Sequence, residues 1–147
     1  NNFELIEEVQ EAGAIWVRFD EGDINMAVAA AMPNSGVDLL LGIGGAPEGV
    51  VTAVALRVID GYMQGILAPQ TPDEIERALL AGYALDKKFE LEDLVGGNRH
   101  IFVLSGVTDG ILVRGAREEN QEVSIQTMVL DSALDEARLI EVKVSKN

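Results

Sequence analysis

The chain has 147 residues, 48% of them hydrophobic, 24% charged and 5% aromatic, with no cysteine and a formal net charge of −14. That length allows one ordinary domain, here spanning residues 1–147, built on a Val, Ile, Leu and Ala core, and the composition excludes a disordered chain. Disulfides, thiolate nucleophiles and cysteine zinc sites are excluded outright, and the acidic balance argues against a nucleic-acid partner, whose phosphates need a basic surface.

An acidic protein can hold an anionic phosphate ester only through local Arg or Lys, a helix N-terminus, or divalent cations bound to its carboxylates. No apolar run reaches the length of a membrane span, and Asn1 to Glu4 lacks the basic and apolar regions of a signal peptide, so no membrane partner is expected. The absence of cysteine fits a reducing cytoplasm, the location expected. The first residue is Asn1 rather than Met and a helical pattern begins at once, which predicts that further sequence belongs upstream.

Phe3, Ile6 and Val9 recur at helical spacing, with Asn2 as N-cap and Gly13 as stop. Ile15 to Phe19 is a β-rich run, followed by the acidic loop Asp20-Glu21-Gly22-Asp23, in which Asp23 caps a helix through Met32. Pro33-Asn34-Ser35-Gly36 ends that helix. Val37 to Ile43 is apolar except for Asp38, the pattern of a strand covered on both faces. A glycine-rich loop then leads into a helix from Pro47 to Ile59, and Tyr62 to Leu67 reads as a strand. Thr71-Pro72-Asp73-Glu74 supplies a capping box for a helix to about Leu80, Phe89 to Val95 reads as a short helix, and Ile101 to Leu104 as a strand. Two β-like runs, Glu122 to Leu130 and Arg138 to Val144, flank the turn Asp131-Ser132 as a hairpin. The alternation of helix and strand predicts an α/β layered sandwich with a mostly parallel sheet and a C-terminal hairpin.

Three loops could carry chemistry. In Gly42-Ile43-Gly44-Gly45-Ala46-Pro47-Glu48-Gly49 the glycines let a ligand approach the backbone, Pro47 presets the first helical turn, and the free N–H groups of that turn favour an anion. Glu48 would repel a phosphate unless a divalent cation lay between them; a tight βα turn in which Glu48 serves only the helix dipole accounts for the same residues. Glu21, Gly22 and Asp23 lie at another strand end, where carboxylates bind metals or accept sugar hydroxyls, or merely form a solvated cap. Ser105-Gly106-Val107-Thr108-Asp109-Gly110 suits phosphate or hydroxyl contact, or a plain turn. His100, the sole histidine, precedes a strand on the opposite edge and reads as structural, so no Ser-His-Asp set is possible.

Taken in order and spacing, Glu21-Gly22-Asp23, Gly42 to Gly49, Met63-Gln64-Gly65 and Gly106-Val107-Thr108-Asp109-Gly110 resemble successive signatures of class II fructose-1,6-bisphosphatases, the Gly-Ile-Gly-Gly-Ala-Pro-Glu-Gly run being the most specific. The resemblance spans nearly the whole chain and matches the family's C-terminal half. It implies a fold of the lithium-sensitive phosphatase type and hydrolysis of the 1-phosphate of fructose 1,6-bisphosphate or, in some members, attack on sedoheptulose bisphosphate, with Mn2+ or Mg2+ as cofactor. By position it makes Glu48 a metal ligand, Gly45 a substrate-contacting backbone position, and Glu21 with Gly22 and Asp23 a sugar-binding acidic pair around a glycine. The family usually carries Asp where Glu21 stands, and Glu118-Glu119-Asn120-Gln121 replaces its Arg-containing, glycine-rich stretch.

In that family most metal-binding carboxylates lie in an N-terminal half. The resemblance therefore implies part of a larger or split sugar bisphosphatase, its partners a sugar bisphosphate and either an N-terminal half or further copies of the chain. A non-catalytic sugar-phosphate-binding or structural module is the alternative. The glycine loop by itself would also suit a nucleotide-binding α/β domain, although its spacing departs from the dinucleotide fingerprint.

Overall fold

A computed structural model describes residues 3–19, 22–134 and 136–145. The first helix, α1 (Phe3–Glu11), ends where Gly13 enters the left-handed region at φ 80° and donates to the carbonyl of Gln10. Asn2, its expected cap, lies outside the described residues. Helix α2 (Asp23–Ala31) begins one residue earlier than a cap at Asp23 would place it: Gly22, at φ 90°, is the N-cap, and Asp23 is the first helical residue. Helix α3 (Ala46–Val58) carries Pro47 and Glu48 in its first turn.

Strand β1 (Gln64–Ile66) is shorter than expected and pairs antiparallel with β2 (Lys88–Glu90). Between them α4 (Pro72–Leu80) has the predicted capping box: Glu74 N–H donates to Thr71 Oγ1 at 3.3 Å, and Thr71 N–H donates to Glu74 Oε2 at 3.2 Å. The helix expected over Phe89 to Val95 is half right, since Phe89 belongs to β2 and only Leu91–Leu94 forms α5.

The larger sheet comprises β3 (Ile101–Ser105), β4 (Arg117–Glu119), β5 (Glu122–Asp131) and β6 (Glu136–Ser145). The expected hairpin is β5–β6, in register from Glu122↔Ser145 to Asp131↔Glu136. Strand β3 pairs with residues 127–131 of β5 and β4 with residues 122–124, so both share one edge of β5 while β6 holds the other. Every pairing is antiparallel. The chain is a mixed α/β structure, and the expected parallel sheet is corrected.

That correction has a local cause. Ile15 to Phe19 and Val37 to Ile43, the two strands that would have made the sheet parallel, have no ladder partner among the described residues. β-branched composition favours extended backbone, but a strand exists only through the hydrogen bonds of a neighbour. Both runs stay on the surface, with Ile15 96%, Leu39 69% and Ile43 66% exposed, the reverse of a strand covered on both faces.

The core lies between α2, α3 and one face of the larger sheet: Val28 and Ala55 pack against Phe102, Met128 and Leu130. Small residues in the facing helices, among them Ala27, Ala29, Ala53 and Ala55, let the backbones approach closely. A second cluster joins α3 to α5 through Ala53, Leu56 and Leu91, clamped at the surface by Arg57 donating to Glu92 at 2.9 Å. No helix among the described residues is long and apolar enough to cross a membrane.

Candidate functional site

The packing of α2 on α3 brings their first turns together, and two glycines fix how closely. A Cβ on Gly44 would lie 3.2 Å from Asp23 Oδ2, so the loop entering α3 runs against the carboxylate that opens α2. At the next residue a Cβ would collide with Glu48 Oε2, so the Glu48 carboxylate folds back over the Gly45 backbone. Gly45 has φ −68° and ψ 146°, which any residue tolerates; glycine is needed there for space rather than for torsion. Gly22 is needed for torsion, because the cap of α2 is left-handed.

Asp23 and Glu48 are thus two exposed carboxylates in the first turns of neighbouring helices, beside a loop whose backbone carries no side chain at 44 and 45. The positive ends of both helix dipoles favour negative charge here. Such a surface can accept hydroxyl donors, contribute a ligand to a hard cation, and offer backbone N–H groups to an oxyanion. Met63 closes its flank, with Cε 3.8 Å from where a Cβ on Gly49 would sit. The neighbouring Gln64 is engaged in the small sheet, its amide donating to Glu90 Oε1 at 2.7 Å and to the Tyr62 hydroxyl at 3.3 Å. The Glu90 hydrogen bond, then desolvation and the nearby carboxylates, raise the Tyr62 phenol above its ordinary value.

The third loop reaches the same place through Asn25. A Cβ on Gly110 would collide with Asn25 Nδ2, so the turn after β3 presses on the first turn of α2. Asn25 Oδ1 is buried without a hydrogen-bond partner, an orphan acceptor beside the Asp23 turn. Sequence reasoning missed Asn25, and nothing distinguishes it in the sequence from an ordinary first-turn asparagine.

Asp109 has a structural task instead. Its Oδ1 accepts from Gly115 N–H at 2.9 Å, and its two oxygens accept from Arg117 Nη2 at 2.7 and 2.6 Å. The Arg117 hydrogen bonds, then the Gly115 amide, hold the Asp109 carboxyl below its ordinary value. The loop is stapled shut, for a Cβ on Gly106 would collide with the Arg114 carbonyl and one on Gly115 would lie 2.7 Å from the Thr108 carbonyl carbon.

Of the residues expected at the site, Gly22, Asp23, Gly45 and Glu48 are brought together, and Glu21 lies outside the described residues. His100 stands apart, immediately before β3, where its ring nitrogen donates to the Gly96 carbonyl at 2.9 Å. An open depression of about 560 Å3 lies at the opposite end of α2, lined by residues 30–38, and includes none of the expected site residues.

Among the described residues no three His, Asp or Glu side chains gather as a metal site requires. Glu48 fits as one oxygen donor, but a divalent cation that takes six or more oxygens finds no self-contained site here.

A family described as bacterial fructose-1,6-bisphosphatase, glpX-encoded, matches residues 2–144. Among curated relatives, a D-fructose 1,6-bisphosphatase class 2/sedoheptulose 1,7-bisphosphatase of Gloeobacter violaceus is 36% identical, the match covering 94% of this chain and 44% of the relative. One of the same name from Synechococcus is 34% identical over 94% of this chain and 44% of its own length. A fructose-1,6-bisphosphatase class 2 of Haemophilus influenzae is 32% identical over 86% of this chain and 42% of its own. The chain therefore spans less than half the length of these relatives. On the match over residues 2–144, the chain belongs to the family of bacterial glpX-encoded fructose-1,6-bisphosphatases.

Proposed function

We propose that the chain acts as the C-terminal part of a metal-dependent sugar bisphosphatase that removes the 1-phosphate of fructose 1,6-bisphosphate in cytoplasmic carbohydrate metabolism. The observation that carries this reading is the convergence of Asp23, Gly44, Gly45 and Glu48 at the first turns of α2 and α3. Glu21, Gly22 and Asp23 hold sugar hydroxyls, the Gly45 backbone meets the substrate, and Glu48 is one ligand of an Mn2+ or Mg2+ site. A divalent cation bound there would neutralise phosphate charge and activate water.

This reading treats the chain as one domain, equivalent to the family's C-terminal half, with a fold of the lithium-sensitive phosphatase type once the remaining half is in place. The chain's own contribution is then placement. The bare backbone at 44 and 45 lets a sugar phosphate approach, and the helix ends offer N–H groups to its oxygens. The remaining metal ligands and the groups that position water come from an N-terminal half.

A specific observation favours a second reading, a sugar-phosphate-binding module without turnover: no group of three ligating side chains exists among the described residues. One experiment separates the two. Phosphate release from fructose 1,6-bisphosphate is measured in Mn2+ with this chain alone and with the N-terminal half of the Gloeobacter violaceus relative added. Release that appears on mixing supports the enzyme; saturable sugar-phosphate binding with no release in any mixture supports the module.

A further inference from the structure

The first turn of α2 is held from two sides. Asp23 Oδ2 lies 3.2 Å from where a Cβ on Gly44 would sit, and Asn25 Nδ2 fills the space that a Cβ on Gly110 would take. In an α-helix residues two apart point about 200° from one another around the axis, so the two contacts oppose each other across α2. The turn behind Asn25 is firmly held. Gly110 N–H donates to the Val113 carbonyl at 3.0 Å, and the neighbouring Asp109 carboxylate accepts from Gly115 N–H and from Arg117 of β4. The cap on the other side, Gly22, has no side chain to fasten it.

Hydrogen bonding does not explain an asparagine at this place. Asn25 Oδ1 is buried with no partner among the described residues, and a buried acceptor left unpaired lowers stability. An apolar side chain of similar size would avoid that cost and would also suit the helix better. What the side chain does supply is bulk, set between a stapled turn and the opening of α2.

We propose that Asn25 is a positioning residue for the candidate site. Braced on the Gly110 turn, it holds the Gly22–Asp23 cap against Gly44 and so fixes where the Asp23 carboxylate meets a sugar hydroxyl. The proposal rests on the reading of Asp23 as a sugar contact. Its effect is confined to substrate affinity, because Glu48 opens a different helix, α3, and its carboxylate lies over Gly45 rather than over α2.

The test compares Asn25→Ala, which withdraws the wedge, with Asn25→Leu, which keeps its approximate size and removes both polar atoms. In the assembled pair, with fructose 1,6-bisphosphate and Mn2+, Asn25→Ala is expected to raise KM about tenfold with kcat unchanged, and Asn25→Leu to restore the parent KM. The melting temperature of Asn25→Leu should equal or exceed that of the parent. A purely structural role would instead lower kcat, activity and melting temperature together. That result, an unchanged KM in Asn25→Ala, or a failure of Asn25→Leu to restore it would overturn the proposal.

The chain alone gives a second readout that needs no turnover. In 15N–1H spectra the Gly44 amide signal should move in Asn25→Ala and return in Asn25→Leu, while the Glu74 amide, in α4, stays fixed. A Gly44 signal indifferent to Asn25→Ala overturns the positioning claim whether or not the pair is active. Absence of release from the parent pair, with the Gly44 signal responding as expected, would count against the phosphatase reading and leave the brace standing.

Discussion

Glu48 Oε2 occupies the space that a side chain at Gly45 would need, so the position of this carboxylate depends on a glycine three residues earlier. Because the Gly45 torsions suit any residue, Gly45→Ala changes the carboxylate and little else. The expected outcome is stability within about 0.5 kcal/mol of the parent, with manganese-dependent phosphate release by the assembled enzyme reduced about ten- to a hundredfold. Thermal melts and kinetics on the same preparation check both halves of this.

The Gly110–Asn25 contact links the third loop to the candidate site. Gly110→Ala forces the Asn25 amide aside and is expected to destabilise the chain by about 1–3 kcal/mol, as overpacking does. Asn25→Ala removes the obstacle along with an acceptor that has no partner. The double variant should recover most of the loss in denaturant unfolding, and a strictly additive loss would count against the contact.

Asp109 gives a pH dependence of known sign. Its carboxyl is held below the ordinary 3.8 by the Arg117 hydrogen bonds first and the Gly115 amide second, so the folded state binds its proton less readily than the unfolded state. The associated stabilisation is present above 3.8 and is lost as pH falls through the lower folded value. Asp109→Asn should lower stability at neutral pH and converge with the parent in strong acid; a constant offset over the whole range would contradict the assignment.

Helix α4 has no buried residue, so its capping box carries more of its local stability than in a packed helix. Thr71→Ala should cost about 1 kcal/mol, seen as roughly fivefold faster amide exchange at Glu74 and Ile75. Leu130→Ala, in the centre of the core, should instead cost about 2–5 kcal/mol of global stability.

What the sequence conveys well here is local. Thr71 and Glu74 form their box because both partners lie within one turn, and β5 and β6 pair because a short turn leaves few alternatives. What it conveys poorly is pairing at a distance. Ile15 to Phe19 and Val37 to Ile43 have the composition of buried strands, yet a strand needs a neighbour that periodicity cannot supply, and the segments that do pair are β1 with β2 and β3 to β6 among themselves. Arg117–Glu119 is too short and too charged to announce itself as a strand. At the candidate site the glycines and carboxylates are legible by type, and their convergence follows from α2 packing on α3. Asn25 is not legible, because its interest lies wholly in an unpaired oxygen.

The central claim is that Glu48 serves a metal-dependent phosphatase site completed by an N-terminal half. The most direct test is phosphate release from fructose 1,6-bisphosphate in Mn2+ by the assembled pair, with Glu48 and with Glu48→Gln. The account predicts release that falls about a hundredfold or more in the variant while the melting temperature stays unchanged; undiminished release from Glu48→Gln would contradict it.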